Sequence, residues 1–122
     1  MRPSRFDRVL SGAIEALPAE FRNALDDLAI VVEGWPPDDL LDDMGIPDED
    51  TIYGFYQGTP LPERSVGDPY RLPDVISIYQ GPLEEDFPDP VELQRQIRIT
   101  LLHEVGHYFG LDEEALARLG YG

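Results

Sequence analysis

The first apolar positions of the chain, Phe6, Val9, Leu10, Ala13, Ile14 and Leu17, recur at the 3.6-residue spacing of an amphipathic helix, with Ser4 placed as its N-cap. Pro18 ends that helix. Phe21, Leu25 and Leu28 continue into a second short one with Pro18 or Ala19 in its first turn, which predicts a helical hairpin. The period then changes: AIVVEGW (29–35), TIYGFYQG (51–58) and DVISIYQG (74–81) are β-branched and aromatic, and predict three strands. From Asp89 or Pro90 the helical period returns, with Val91, Leu93, Ile97, Leu101, Leu102, Val105 and Phe109 apolar as far as Gly110. A short last helix is predicted from Asp112 to Leu119.

Two connections stand out. Asp38, Asp39, Asp42, Asp43, Asp48, Glu49 and Asp50 crowd a stretch broken by Pro37, Gly45 and Pro47, which reads as a loop holding one helical turn. It lacks the alternating acids and glycine turn of a calcium loop, so it is assigned no metal and taken as solvated acidic surface. TPLPERSVGDPYRLP (59–73) is Pro-rich and is expected to be an ordered loop or a flap. The shared Tyr-Gln-Gly endings, at 56–58 and 79–81, are read as similar strand ends rather than a repeat.

A chain of 122 residues, 42% hydrophobic and 10% aromatic, is expected to fold as one domain over 1–122 around one modest core. Nine Lys and Arg against 25 Asp and Glu give a net charge of −16, a field that repels nucleic acid and anionic membrane surfaces. With no cysteine, there is no disulfide, no thiolate metal site and no cysteine nucleophile; any metal must be held by His, Asp and Glu. Arg8, Ser11, Gly12 and Glu15 interrupt the N-terminal apolar positions, so no secretory signal is read. No uncharged apolar run approaches the roughly 20 residues of a membrane helix, and a soluble, cytoplasmic protein is expected.

The chemistry concentrates in LLHEVGHYFGLDEE (101–114), where His103, Glu104 and His107 have HExxH spacing and include the chain's only two histidines. Residues four apart share a helix face, so two imidazoles can meet a zinc ion at roughly 2 Å each. Glu104, turned by about 100° from His103, is placed to take a proton from a metal-activated water rather than to ligate. The expected reaction is metal-assisted hydrolysis without a covalent intermediate. Gly110 permits a left-handed turn that brings the chain back, and Glu113 then sits where a third ligand is wanted. Asp112 also reads as the cap of the last helix, and Glu113 as a first-turn acid. Tyr108 and Tyr121 read as packing residues, although a Tyr hydroxyl near zinc can stabilise an oxyanion, and Tyr121 at the terminus is the better placed.

In these residues the chain resembles the small bacterial zincin-like metallopeptidases, or mini-zincins, over nearly its whole length. The resemblance implies an α+β, zincin-like fold: a small mixed sheet of three or four strands packed on helices that include the HExxH helix, with a sheet edge facing the cleft. An extended peptide can add to that edge as a strand. It further implies His103 and His107 as zinc ligands, Glu104 as the base, and the residue three after Gly110 as the third ligand. That residue is usually Asp in the family and is Glu113 here, with Asp112 immediately before it, so either acid is a candidate. No methionine follows the motif, since Met1 and Met44 are the only two. The floor beneath the metal is therefore assigned to Tyr121, which is also a candidate catalytic residue.

Two functions follow. One is a zinc-dependent peptidase acting on exposed, extended and preferentially basic segments of a peptide or protein. The other is a binding module that keeps the scaffold and works through protein–protein interaction. Hydrolysis of a non-peptide amide is a third, weaker reading. Two His and one carboxylate also accept Co, Ni or Mn. Oligomeric state is not encoded in any pattern of the sequence.

Overall fold

The computed structural model of the chain describes residues 4–47, 51–60, 62 and 74–120. Helix α1 (Arg5–Glu15) opens with a reciprocal capping box: the Asp7 N–H donates to Ser4 Oγ at 3.1 Å, and the Ser4 N–H donates to the Asp7 carboxylate at 3.3 Å. Helix α2 (Ala19–Ala24) starts from Pro18, whose missing N–H costs nothing at a helix start, and runs through a 3₁₀ turn (Leu25–Asp27) into strand β1 (Ala29–Glu33). Helix α3 (Asp38–Asp43), strand β2 (Gly54–Gln57), strand β3 (Val75–Tyr79), helix α4 (Gln80–Asp86), helix α5 (Pro90–Tyr108) and helix α6 (Glu113–Arg118) complete the order.

The strands form one mixed three-stranded sheet in the order β1-β3-β2, with β1 parallel and β2 antiparallel to the central β3. The fold is therefore the α+β arrangement that the resemblance implies. Among the described residues no helix is long and apolar enough to cross a membrane.

The core lies between the sheet and the helices. Ile76 and Ile78 of β3 are fully buried, and α5 meets them and α1 through Leu93, Ile97, Leu101, Val105 and Tyr108, each at most 2% exposed. These five fall on one face at i, i+4 and i+3 steps. The row formed by Gln96, Ile99, Thr100, His103 and His107 faces an open cavity instead. One helix thus carries the core on one side and the two histidines on the other, and its N-cap, Asp89, accepts the Glu92 N–H at 3.0 Å.

The structure departs from the sequence pattern in three places. All three predicted strands are trimmed, most of all the second, in which only Gly54–Gln57 pairs. The acidic stretch holds a six-residue helix, α3, rather than a single turn, while Asp48, Glu49 and Asp50 lie outside the described residues. The third predicted strand stops at Tyr79, because Gln80 and Gly81 open α4 with Pro82 in its first turn, where no N–H is required. The same Tyr-Gln-Gly therefore ends a strand at 57 and starts a helix at 80. The proposed flap, except for Thr59, Pro60 and Pro62, lies outside the described residues.

Strand β2 is tied to α4 by Tyr53, whose hydroxyl donates to Asp86 Oδ2 at 2.5 Å and whose ring lies 5.4 Å from Phe87. Burial first, then this hydrogen bond and the Asp86 charge, push the phenol from its ordinary 10.0 up to about 12. A raised phenol pKa means that the neutral form is favoured by folding, so its contribution is whole below pH 10.0 and is lost as pH rises towards 12. Tyr53→Phe is expected to melt lower than wild type at pH 8, with the gap closing between pH 10.0 and 12 in thermal scans. A gap independent of pH would contradict this.

Candidate metal centre

His103 and His107 are one turn apart on α5, and their Nε2 atoms are 3.1 Å from each other, with the rings nearly perpendicular at 83°. Glu113 reaches both: its Oε1 lies 2.9 Å from His107 Nε2 and 3.3 Å from His103 Nε2. Ligands about 2 Å from a tetrahedral zinc ion stand about 3.3 Å from one another. The three donors thus already form one face of such a tetrahedron.

Backbone geometry explains how Glu113 arrives there. Helix α5 ends at Phe109, and Gly110 takes φ 89°, a left-handed conformation that residues with a Cβ adopt only with strain. The Gly110 N–H donates to His107 O and the Leu111 N–H to Gly106 O, both at 2.9 Å, which is the paired pattern of a Schellman turn. The same turn aims the Leu111 carbonyl at His107 Nδ1, 3.1 Å away. A carbonyl only accepts, so Nδ1 carries a proton and Nε2 is the ring atom directed at the other two groups. Two imidazole nitrogens and a carboxylate oxygen converging on one point are what a bound cation stabilises, so these residues fit a zinc ion.

The structure separates the two candidate acids. Asp112 is the N-cap of α6, its Oδ1 accepting the Ala115 N–H at 2.8 Å, while Glu113 joins the two histidines. Helix α6 is seated by Leu116, fully buried against Gly106; a Cβ on Gly106 would lie 2.3 Å from Leu116 Cδ2. Gly106 was not singled out by the motif, although a glycine inside a helix, costing about 1 kcal/mol against Ala, signals a packing reason. Beneath His107, among the described residues, this Gly106–Leu116 contact supplies packing. Tyr121 lies outside the described residues. Tyr108 is buried in the core, with its ring 6.0 Å from that of Tyr56.

Glu104 is only 8% exposed, yet it points into the same cavity. Its Oε1 accepts the backbone N–H of Tyr56 at 2.9 Å, and its Oε2 lies 3.9 Å from His103 Nε2. Burial, the largest influence, pushes its carboxyl above the usual carboxylate range, opposed by His103, His107 and the Tyr56 N–H. The register directs the Tyr56 donor to this role. The Tyr79 N–H donates to Tyr53 O at 2.9 Å, so Tyr53, Phe55 and Gln57 turn towards β3 while the peptide groups of Gly54 and Tyr56 turn away from it. No side-chain pattern announces a backbone donor, and sequence reasoning missed it.

The cavity, of about 540 Å³, runs between β2 and α5 and is lined by His103, Glu104, His107 and Glu113 together with Met44, a residue that the motif left aside. A smaller hollow of about 260 Å³ reaches His107 from the other side, along Pro60, Pro62 and Leu111. A family model described as a zincin-like metallopeptidase matches residues 25–122. No curated protein matches the chain.

The two acids should separate experimentally. Glu113→Ala is expected to weaken zinc binding at least about tenfold in calorimetric titration, in the range seen when a metal-site residue is lost. Asp112→Ala is expected to cost about 1 kcal/mol of stability, as for a lost N-cap, with the smaller effect on zinc. The reverse ranking would move the third ligand to Asp112.

Proposed function

The chain belongs to the zincin-like metallopeptidase family, and on that footing we propose that it is a zinc-dependent peptidase in which His103, His107 and Glu113 hold the metal and Glu104 is the general base. The observation that carries the reading is the placement of Glu104. A carboxylate buried to 8% exposure, anchored through one oxygen and with the other 3.9 Å from a proposed ligand, is costly to maintain for folding alone.

A bound zinc ion supplies polarisation of a substrate carbonyl and of a water whose pKa falls towards about 7. The chain's own residues do the rest. The Tyr56 N–H fixes Oε1 of Glu104, which leaves Oε2 to take the proton from the attacking water and later return it to the leaving amine nitrogen. Burial, which pushes this carboxyl upward, favours the neutral form that Glu104 takes once it has accepted a proton. The Leu111 carbonyl holds the His107 ring in one tautomer and orientation, so its ligand atom does not have to reorganise. An extended substrate pairs with the outward peptide groups of Gly54, which lays its backbone beside Glu104.

Glu104→Gln tests this directly. The amide oxygen still accepts the Tyr56 N–H, but the side chain no longer takes a proton. Cleavage of an unstructured peptide pool, read by mass spectrometry, is expected to fall by about 10² or more with zinc affinity retained. The metal-free variant is expected to melt no lower than wild type, because a buried charge has gone. Cleavage unchanged in the variant, or absent from zinc-loaded wild type, would sink the proposal. In the latter case the binding-module reading takes its place.

A further inference from the structure

Glu104 is anchored by a backbone N–H, so whatever holds that stretch of backbone also holds the proposed base. Strand β2 is four residues long, and its last register pair joins Gln57 to Val75. So short a strand frays at its end unless a contact beyond the last pair grips it. Asp74, the residue before Val75 and only 7% exposed, makes that contact. Its Oδ1 accepts the Tyr56 hydroxyl at 2.8 Å and the Thr59 N–H at 3.3 Å, while its carbonyl accepts the Ala29 N–H at 3.0 Å. Tyr56 is therefore fastened at both ends, its hydroxyl to the start of β3 and its N–H to α5, with its ring edge-on to buried Tyr108 between them. Two glycines make the room. A Cβ on Gly58 would lie 2.2 Å from Asp74 Oδ1 and 3.0 Å from the Tyr56 hydroxyl oxygen, and one on Gly54 would lie 2.6 Å from Thr100 Cγ2 and 3.5 Å from Glu104 Cγ. The first glycine lets the carboxylate reach the strand end, and the second lets β2 lie close against α5. In the other Tyr-Gln-Gly the glycine meets the Trp35 ring instead, so the shared ending serves two unrelated contacts.

We infer that Asp74 is a positioning residue for Glu104, acting through the Tyr56 hydroxyl to hold the Tyr56 N–H on Glu104 Oε1. The inference rests on the reading of Glu104 as the base, and it adds to that machinery a residue outside the cavity lining. A tyrosine fixed at its hydroxyl and at its N–H cannot turn its peptide plane. Without the hydroxyl bond the end of β2 is released, Oε1 loses a fixed donor, and the direction of Oε2 towards the attacking water is no longer set. The role asks for an acceptor oxygen at position 74 and not for a charge, because the groups that meet Oδ1 are a neutral hydroxyl and a backbone N–H.

The test follows the residue-56 amide by hydrogen exchange in the isotope-labelled, full-length, zinc-loaded protein, beside turnover of a peptide that the wild type cleaves. Tyr56→Phe removes the hydroxyl alone, and Asp74→Ala removes its acceptor. Each is expected to speed exchange at that amide about tenfold, the effect of one lost hydrogen bond to a charged group, while the Ile97 and Leu101 amides of α5 keep their rates. Turnover is expected to fall by a similar factor in kcat, with KM and zinc affinity within about twofold of wild type. Asp74→Asn, which keeps an acceptor oxygen, is expected to restore most of both. Exchange unchanged at residue 56 in Tyr56→Phe, a rise shared equally by Ile97 and Leu101, or Asp74→Asn as impaired as Asp74→Ala would overturn the inference. The expected exchange pattern in a protein whose wild type cleaves nothing would remove the peptidase reading alone. Undiminished kcat in Tyr56→Phe of an active enzyme would remove this inference alone.

Discussion

Everything at the site depends on one reversal of the chain. Had α5 continued past Tyr108 as a regular helix, residue 113 would stand roughly 9 Å along the axis from residue 107, pointing away. The left-handed Gly110 instead folds the backbone so that the last carbonyls of α5 find donors, the Leu111 carbonyl finds the His107 ring, and α6 begins with Glu113 against both imidazoles. One conformational requirement therefore sets helix termination, imidazole tautomer and the third donor together. The Gly106–Leu116 contact then fixes the direction in which the returning chain runs.

The second constraint is electrostatic. Helix α5 is held rigid by a fully apolar row, and rigidity at that face is what allows a carboxylate to be kept dehydrated at the other. Glu104 is less stable as an anion here than in water, and the histidines and the Tyr56 N–H offset only part of that. A cation held by His103, His107 and Glu113 would shift the balance towards the charged form. Stability of the metal-free fold and readiness of the base thus pull in opposite directions.

Much of this was legible in the sequence because it is written in short-range terms. Ser4 and Asp112 cap helices where the pattern places them, α5 begins at the Asp89–Pro90 boundary that the pattern gives, and the row from Leu93 to Val105 marks a buried helix. His103 and His107 meet because i and i+4 always do. What was not legible depends on encounters between distant segments. Whether Asp112 or Glu113 would reach the histidines turned on the direction of a chain reversal, which spacing does not encode. Tyr79-Gln80-Gly81 looked like a strand end because its helix start depends on the following Pro82, and on the Gly81 N–H reaching Gly34 O at 2.7 Å. Met44 looked like a loop residue, and only the tertiary fold brings it to the cavity wall with residues of β2 and α5. The Tyr56 N–H has no residue signature at all.

That last bond has a consequence for how the molecule behaves in a crowd. Among the described residues strand β2 is an outer strand, and the outward peptide groups of an outer strand are the kind of template on which a second chain can nucleate an intermolecular sheet. The ribbon is four residues long, only Gly54 and Tyr56 face outward, and the Tyr56 donor is already occupied by Glu104. Among the described residues that edge offers a neighbouring chain few backbone hydrogen bonds, and the carboxylate proposed for proton transfer already occupies one of its outward donors.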